Sequence, residues 1–203
     1  QLKKFLPKLL AGKSVMSVGM SEPDAGSSVT DLKTSATPDG DDFLINGSKV
    51  FGTNSAEAEV FLIYLRFGPG VDGIGSAIIE KGTPGFEIGP SYRYMNGEFW
   101  SPLYFDNCRI PESNILLGAG GFKKQISGFN IERLGNAARA VAVGRKAFSE
   151  ACEHAKTRQQ FGRDICEFQG LQWKFAEMEM RLEAAQLLLL RAVTKADSNL
   201  PSA

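Results

Sequence analysis

The spacing of hydrophobic positions changes twice along the chain. In residues 1–12, Leu2, Phe5, Leu6, Leu9 and Leu10 fall on one helical face, and Gly12 stands where such a helix would stop. From about Val15 to Leu117 the pattern shortens to alternating or continuously apolar runs. These predict strands at 14–20, 33–38, 42–51, 60–67, 76–80, 86–89 and 103–110. Turn signals separate them: Asp39-Gly40-Asp41, Asn46-Gly47, Gly68-Pro69-Gly70, Thr83-Pro84-Gly85 and Pro111. Many short strands at close spacing predict an all-β barrel or sandwich.

Beyond Gly118 to Gly121 the period becomes helical. Leu134, Ala138, Val141, Phe148, Cys152 and Ala155 repeat at helical spacing to about Arg158. A loop with Phe161-Gly162 and Asp164 follows, and a second long helix spans 168–196, carrying Leu171, Phe175, Met178, Leu182 and Ala185. Two such helices form half of an antiparallel bundle and cannot bury their apolar faces on each other alone. Either further helices of the full chain or a partner subunit would have to cover them. The expected organisation is a helix end at 1–14, a β domain at 15–120 and bundle helices at 121–203.

Composition adds exclusions. The 203 residues carry no net charge, so nothing draws the chain generally to nucleic acid or to an anionic membrane. Cys108, Cys152 and Cys166 make neither an even disulfide set nor a close metal-ligand pair, and read as reduced thiols. With His154 as the single histidine, a His-rich metal site is excluded and no metal is expected; nothing near it resembles a nucleophile elbow. The most apolar run, 184–193, is broken by Gln186 and Arg191 and reads as a buried amphipathic helix, not a membrane span. Residues 2–10 are lysine-rich without a long apolar core, so no secretory signal is expected. Both ends read as cut.

Two clusters carry candidate chemistry. The first, Met20-Ser21-Glu22-Pro23-Asp24-Ala25-Gly26-Ser27-Ser28, follows an apolar strand. Its small residues allow close backbone approach to a ligand, and its hydroxyls and amides can bond phosphate or a heterocycle edge. It lacks the Gly-Lys-Ser/Thr ending of a P-loop. Taken alone it is a polar turn, with Glu22 and Asp24 solvated. The second, Ile45-Asn46-Gly47-Ser48-Lys49-Val50-Phe51-Gly52-Thr53-Asn54, reads alone as a hairpin with a tight Asn-Gly turn.

In combination, Glu-Pro-x-Ala-Gly-Ser followed by Ile-Asn-Gly-x-Lys-x-aromatic-x-Thr-Asn resembles the acyl-CoA dehydrogenase family. The resemblance continues through Thr83-Pro84-Gly85-Phe86, 105–111, Leu117-Gly118, Glu132-Arg133, 158–162 and Phe168-Gln169, in family order. It implies an α+β multidomain fold, with a central β-barrel flanked by helical domains and a C-terminal four-helix bundle, here truncated. It implies FAD as cofactor, with Met20, Ser21, Phe51, Gly52 and Thr53 on the flavin. Ser27 falls where the family contacts the CoA portion and lies in the same cofactor loop. Phe51 stands where many relatives have Trp, keeping the stacking and losing the indole donor.

The same resemblance places Arg158, Gln160 and Phe161 at the Arg-x-x-Phe-Gly motif that reaches the FAD pyrophosphate of a neighbouring subunit. A guanidinium fork suits a diphosphate; the plain alternative is an Arg at a helix C-terminus. Gln169 falls on a further FAD position. The implied reaction is α,β-dehydrogenation of an acyl-CoA thioester, with electrons passed to an electron-transfer flavoprotein. Most relatives carry the catalytic Glu further along the chain, but a minority place it where Glu132 stands. Glu132 is therefore the candidate base, the plain alternative being an acid in the first turn of a helix. Arg133 and Asn130 fall on the substrate side, Asn130 replacing an Asp. A homotetramer or dimer is implied, in a bacterial cytoplasm or mitochondrial matrix. An acyl-CoA oxidase, an enoyl-CoA reductase and a non-catalytic thioester-binding relative are the alternatives.

Overall fold

The computed structural model describes residues 2–196, with side chains from Lys3 onward. The side chain of Leu2 and the last residues of the bundle segment lie outside the described residues. The chain divides into two compact units, Gln1–Gln125 and Ile126–Ala203.

The first unit opens with α1 (Leu2–Leu10), which stops where Gly12 was expected to stop it. Gly12 takes a φ of 65°. Its N–H donates to the Leu9 carbonyl and the Lys13 N–H to the Lys8 carbonyl, a Schellman ending. Nine strands then form one sheet: β1 (Met16–Gly19), β2 (Ser35–Asp39), β3 (Asp42–Thr53), β4 (Val60–Arg66), β5 (Ile74–Glu80), β6 (Phe86–Ile88), β7 (Tyr92–Arg93), β8 (Phe99–Pro111) and β9 (Ile115–Leu117). The order is β6-β8-β3-β2-β4-β5-β9, with β1 parallel beside β4 and β7 beside β8.

The sheet curls so that its arms share one core. Phe61 of β4 meets Phe86 of β6 edge-on at 4.8 Å, and Phe86 stacks on Phe105 of β8 at 5.1 Å. Ile45, Ile63, Leu65, Ile79 and Leu103 fill the same interior. Among the described residues β6 and β9 do not pair, so the barrel is curled but not closed.

Three features differ from the sequence expectation. Asn46-Gly47 is not a hairpin turn; it lies within β3. There the pairing steps from Ile45↔Cys108 to Gly47↔Phe105, so Asp106 and Asn107 of β8 bulge opposite Asn46. Asn107 takes a φ of 48°, and its N–H donates to the Asn46 side chain at 2.8 Å. The real turn is Gly40-Asp41, between the paired Asp39 and Asp42, with Gly40 at φ 65°. The second difference is β8, which starts before Leu103 and runs through Pro102. Pro102 is tolerated because it sits opposite another bulge, where no ladder donor is needed. The third is the short strands β7 and β9, too short for a pattern to reveal.

The helical part holds α2 (Phe122–Thr157), a hairpin of β10 (Gln159–Gln160) and β11 (Arg163–Asp164), and α3 (Gln169–Lys195). The helices are antiparallel: Gly144 faces Leu182, Arg145 binds Glu183 and Gln186, and Phe148 meets Phe175 at 5.9 Å. No described residue of α3 is buried, and Trp173, Met180, Leu187, Leu188 and Leu190 are exposed. This agrees with the expectation that two helices cannot cover themselves.

Candidate functional site

The turn after β1 is built around a buried ion pair. Gly19 leaves room for the stem of Lys49, since a Cβ there would meet Ile63, Leu103 and the Lys49 Cγ. The Lys49 side chain is 0% exposed and its Nζ lies 2.7 Å from the Glu22 carboxylate, itself 6% exposed. Glu22 also accepts from the Lys33 N–H (2.7 Å), the Thr34 N–H (2.9 Å) and the Thr34 hydroxyl (2.6 Å). Burial alone would raise the carboxyl's pKa, but the hydrogen bonds from Lys49, Thr34 and Lys33 outweigh it and hold the pKa below 4.5. For Lys49, burial dominates over the Glu22 contact and draws the ammonium from 10.5 down to about 8. Glu22 is thus not the solvated turn residue expected from sequence. Asp24 is exposed, paired only with exposed Lys33.

Two carbonyls of the turn are fixed by neighbouring residues of β3. Lys49 Nζ donates to the Met20 carbonyl at 3.2 Å, and the Val50 N–H donates to the Ser21 carbonyl at 2.9 Å. Val50 is free to do so because β3 bulges there. The pairing jumps from Lys49↔Leu103 to Gly52↔Ser101, leaving Val50 and Phe51 opposite Pro102. Phe51 occupies the left-handed region at φ 57°, which a bulky residue rarely adopts. The result is an outward ring, 55% exposed, resting on Trp100 at 4.7 Å. Tyr92 also stacks on Trp100, at 4.9 Å.

A buried hydroxyl network holds the end of the bulge. Ser17 of β1 lies 2.8 Å from the Thr53 carbonyl and 2.9 Å from the Ser55 hydroxyl, and its single proton serves one of the two at a time. Ser55 donates to the Gly52 carbonyl at 2.7 Å. Gly52 must be glycine, since a Cβ would overlap the Ser55 hydroxyl. The structure thereby brings Met20, Ser21, Phe51, Gly52 and Thr53 together on one region of the sheet. The hydroxyls of Ser21 and Thr53 make no hydrogen bond among the described residues, and Val18 faces outward beside them. An apolar surface with free hydroxyls at its margin fits a planar ring system with a polar edge. Ser27 is not in this group: it lies beyond the Glu22↔Ala25 bridge, exposed.

The other candidates lie in the helical unit. Glu132 is an exposed residue well inside α2, which begins at Phe122, so it is not a first-turn acid and helix-dipole complementarity does not explain it. Asn130 is buried, and its side-chain oxygen accepts from Arg133 at 2.6 Å. Asn130 and Arg133 share a helix face, whereas Glu132 is rotated by about 200° from Asn130 at ~100° per residue.

Arg158 directly follows α2, exposed, and its carbonyl accepts the Ile165 N–H across the hairpin. The tip residues Phe161 and Gly162 take φ values of 53° and 75°, a two-residue turn left-handed at both positions. The Phe161 ring is 94% exposed and approaches Phe168 at 6.2 Å; Arg163 lies over the Phe168 ring at 4.0 Å. Gln160 donates to the Gln159 carbonyl, and Gln169 is the exposed first residue of α3.

The sequence reading missed Lys49, Ser17, Ser55 and Trp100 as parts of the site. A signal existed for Lys49: it shares the period-two face of Ile45 within a strand pattern, and an inward lysine requires a buried acid.

Among the described residues no cluster could hold a metal ion and no helix is long and apolar enough to cross a membrane. Comparison with known proteins agrees with the motifs. Residues 17–108 match the family described as acyl-CoA dehydrogenase, middle domain, and residues 119–203 match acyl-CoA dehydrogenase, C-terminal domain. An acyl-CoA dehydrogenase of Bacillus subtilis (strain 168) is 37% identical, covering 95% of this chain and 52% of its own length. The structure of butyryl-CoA dehydrogenase from Megasphaera elsdenii aligns with a TM-score of 0.90 at 34% identity, covering 98% of this chain and 54% of that one. An FAD complex of PigA aligns with a TM-score of 0.92 at 32% identity, over 98% of this chain and 54% of that one. The chain spans about half the length of these relatives. On both sequence and fold, the chain belongs to the acyl-CoA dehydrogenase family.

Proposed function

We propose that this chain supplies the flavin-side half of an FAD-dependent acyl-CoA dehydrogenase. The observation that carries the reading is the bulge of β3. It spends backbone strain to expose the Phe51 ring, and it lies beside the unpartnered hydroxyls of Ser21 and Thr53. Strain at a functional site is retained where a ligand uses it, and the FAD-bound relative supports a flavin as that ligand.

In this reading Met20, Ser21, Phe51, Gly52 and Thr53 hold the ring system, with Ser27 beside the CoA portion. Arg158, Gln160 and Phe161 reach the FAD pyrophosphate of a neighbouring subunit, Arg158 by a guanidinium fork, and Gln169 supplies a further FAD contact. Bound FAD would supply the acceptor for the β-hydrogen as hydride. Glu132 would take the α-proton onto its carboxylate, which its exposure in the helical unit and its lack of a hydrogen-bond partner among the described residues leave open to it. Arg133, anchored to Asn130, would orient the thioester's polar portion. The reading extends to electron transfer to an electron-transfer flavoprotein, to a homo-oligomer, and to α1 as the end of a preceding helical domain.

The test is anaerobic addition of acyl-CoA thioesters of graded chain length to the complete protein, following the flavin's visible absorbance. Bleaching by one class of thioester is expected and names the substrate class. Flavin that no acyl-CoA reduces would overturn the dehydrogenase reading.

A further inference from the structure

A buried ion pair is a poor way merely to stabilise a turn. Desolvating two charges often costs more than their attraction returns, and apolar residues of similar volume do as well or better. Yet Lys49 and Glu22 are almost fully enclosed, and the carboxylate is held by donors from Lys33, Thr34 and Lys49 at once. The enclosure fixes the ammonium in one place. From there it makes a second hydrogen bond, to the Met20 carbonyl.

Adjacent residues of β3 therefore hold adjacent residues of the turn. Lys49 takes the carbonyl of Met20, and Val50 takes the carbonyl of Ser21. The next residue is Phe51, which begins the exposed part of the bulge. The distance between the Ser21 hydroxyl and the Phe51 ring is thus set by the two bonds from Lys49 and Val50. The Val50 bond is a backbone bond that any residue except proline could supply. The Lys49 bond requires a buried donor of that length, and a buried ammonium requires an acid.

We propose that Lys49, locked by Glu22, is a positioning residue that fixes Met20 and Ser21 against the Phe51–Thr53 bulge and so sets the geometry of flavin binding. This rests on the flavin reading above. The pair touches no reacting atom itself, and it acts through the backbone of the turn.

The test uses the complete protein and measures two quantities separately: apoprotein melting temperature, and FAD dissociation constant by quenching of flavin fluorescence. Glu22→Gln and Lys49→Met singly strand a buried charge, and both should melt far below the parent. The double variant Glu22→Gln/Lys49→Met strands none and should recover most of the melting temperature. It still lacks the donor to Met20, so its FAD affinity should stay at least tenfold weaker, with a shifted visible flavin band. A double variant that melts and binds FAD like the parent would show the pair to be only structural. If the double variant does not fold, Thr34→Val decides. It removes one hydrogen bond from Glu22 while keeping both charges, and should weaken FAD at least threefold; parental affinity would overturn the proposal. A parent protein that binds no FAD at all would instead sink the flavin reading, and the positioning role with it.

Discussion

Gly52→Ala tests how the β3 bulge is held. A Cβ at residue 52 would overlap the Ser55 hydroxyl and lie 3.0 Å from the Ser101 carbonyl oxygen and 3.5 Å from the Ser55 Cβ. Ser55 must move, and its hydroxyl then loses the Gly52 carbonyl at 2.7 Å and Ser17 at 2.9 Å. Two hydrogen bonds at about 1 kcal/mol each, plus overpacking of at least ~1 kcal/mol, give a loss of about 3 kcal/mol. Ser55→Ala alone removes the same two bonds without a clash and should cost about 2 kcal/mol. In the double variant the overlapping hydroxyl is gone and the remaining Ser55 Cβ contact is of ordinary length. The double should therefore cost about 2 kcal/mol rather than the additive ~5, a coupling of about 3 kcal/mol. Urea unfolding followed by Trp100 fluorescence in a Trp173→Phe background reads this directly, because Trp100 lies against the bulge. At a slope near ~2 kcal/mol/M, Gly52→Ala should lower the midpoint by about 1.5 M. Strict additivity would refute the reasoning: the Ser101 carbonyl would then be the obstacle, and the Ser17–Ser55 network would not set the bulge.

Three further outcomes are expected, the first two if the proposed flavin reading holds. Glu132→Gln should leave FAD content unchanged while slowing anaerobic flavin reduction by roughly a hundredfold or more, read by stopped flow; an unchanged rate would place the base elsewhere. Phe161→Asn puts a residue suited to the left-handed turn at φ 53°, and should raise the melting temperature by the equivalent of about 1 kcal/mol while weakening FAD retention. The pH dependence of Glu22 has a definite sign. Its folded pKa lies below 4.5, so its contribution to stability is complete above that value and is lost as pH falls through the folded pKa. The stability gap between parent and Glu22→Gln, from urea melts at pH 3 to 7, should therefore narrow on acidification; a constant gap would mean that folding leaves the Glu22 pKa unshifted.

The elements most legible in the sequence were those fixed by local chemistry. The apolar repeat and Gly12 set both the existence and the end of α1, and continuous runs such as Val60–Arg66 read directly as strands. What stayed hidden was decided by partners far along the chain. Asn46-Gly47 looks like a turn because that pair favours one, but Asn107 answers it from β8 and Thr34 crowds Gly47, whose Cβ position lies 2.7 Å from the Thr34 Cα. The strand expected at 103–110 begins earlier and includes Pro102, because the bulge opposite it, which removes the need for its missing N–H, cannot be read from β8 alone. For the site, the motif residues were visible and the framework was not. Glu22 looked solvated because its four donors come from residues 33, 34 and 49.

The strained residues carry the same lesson in each unit. Phe51 and Phe161 are both left-handed aromatics with exposed rings, and each stands in a position that glycine or asparagine would fill at lower conformational cost. Neither ring is paid back by burial in the core, because neither is in it. Their immediate neighbours are instead built to hold the backbone in that state: a two-against-one bulge with the Ser17–Ser55 network behind Phe51, and a closed hairpin with Gly162 behind Phe161. Local stability does not account for either residue, since one substitution to glycine or asparagine would relieve the strain. Each strained aromatic is thus held by the framework of its own unit, and relaxing either one with glycine or asparagine would measure what holding it costs.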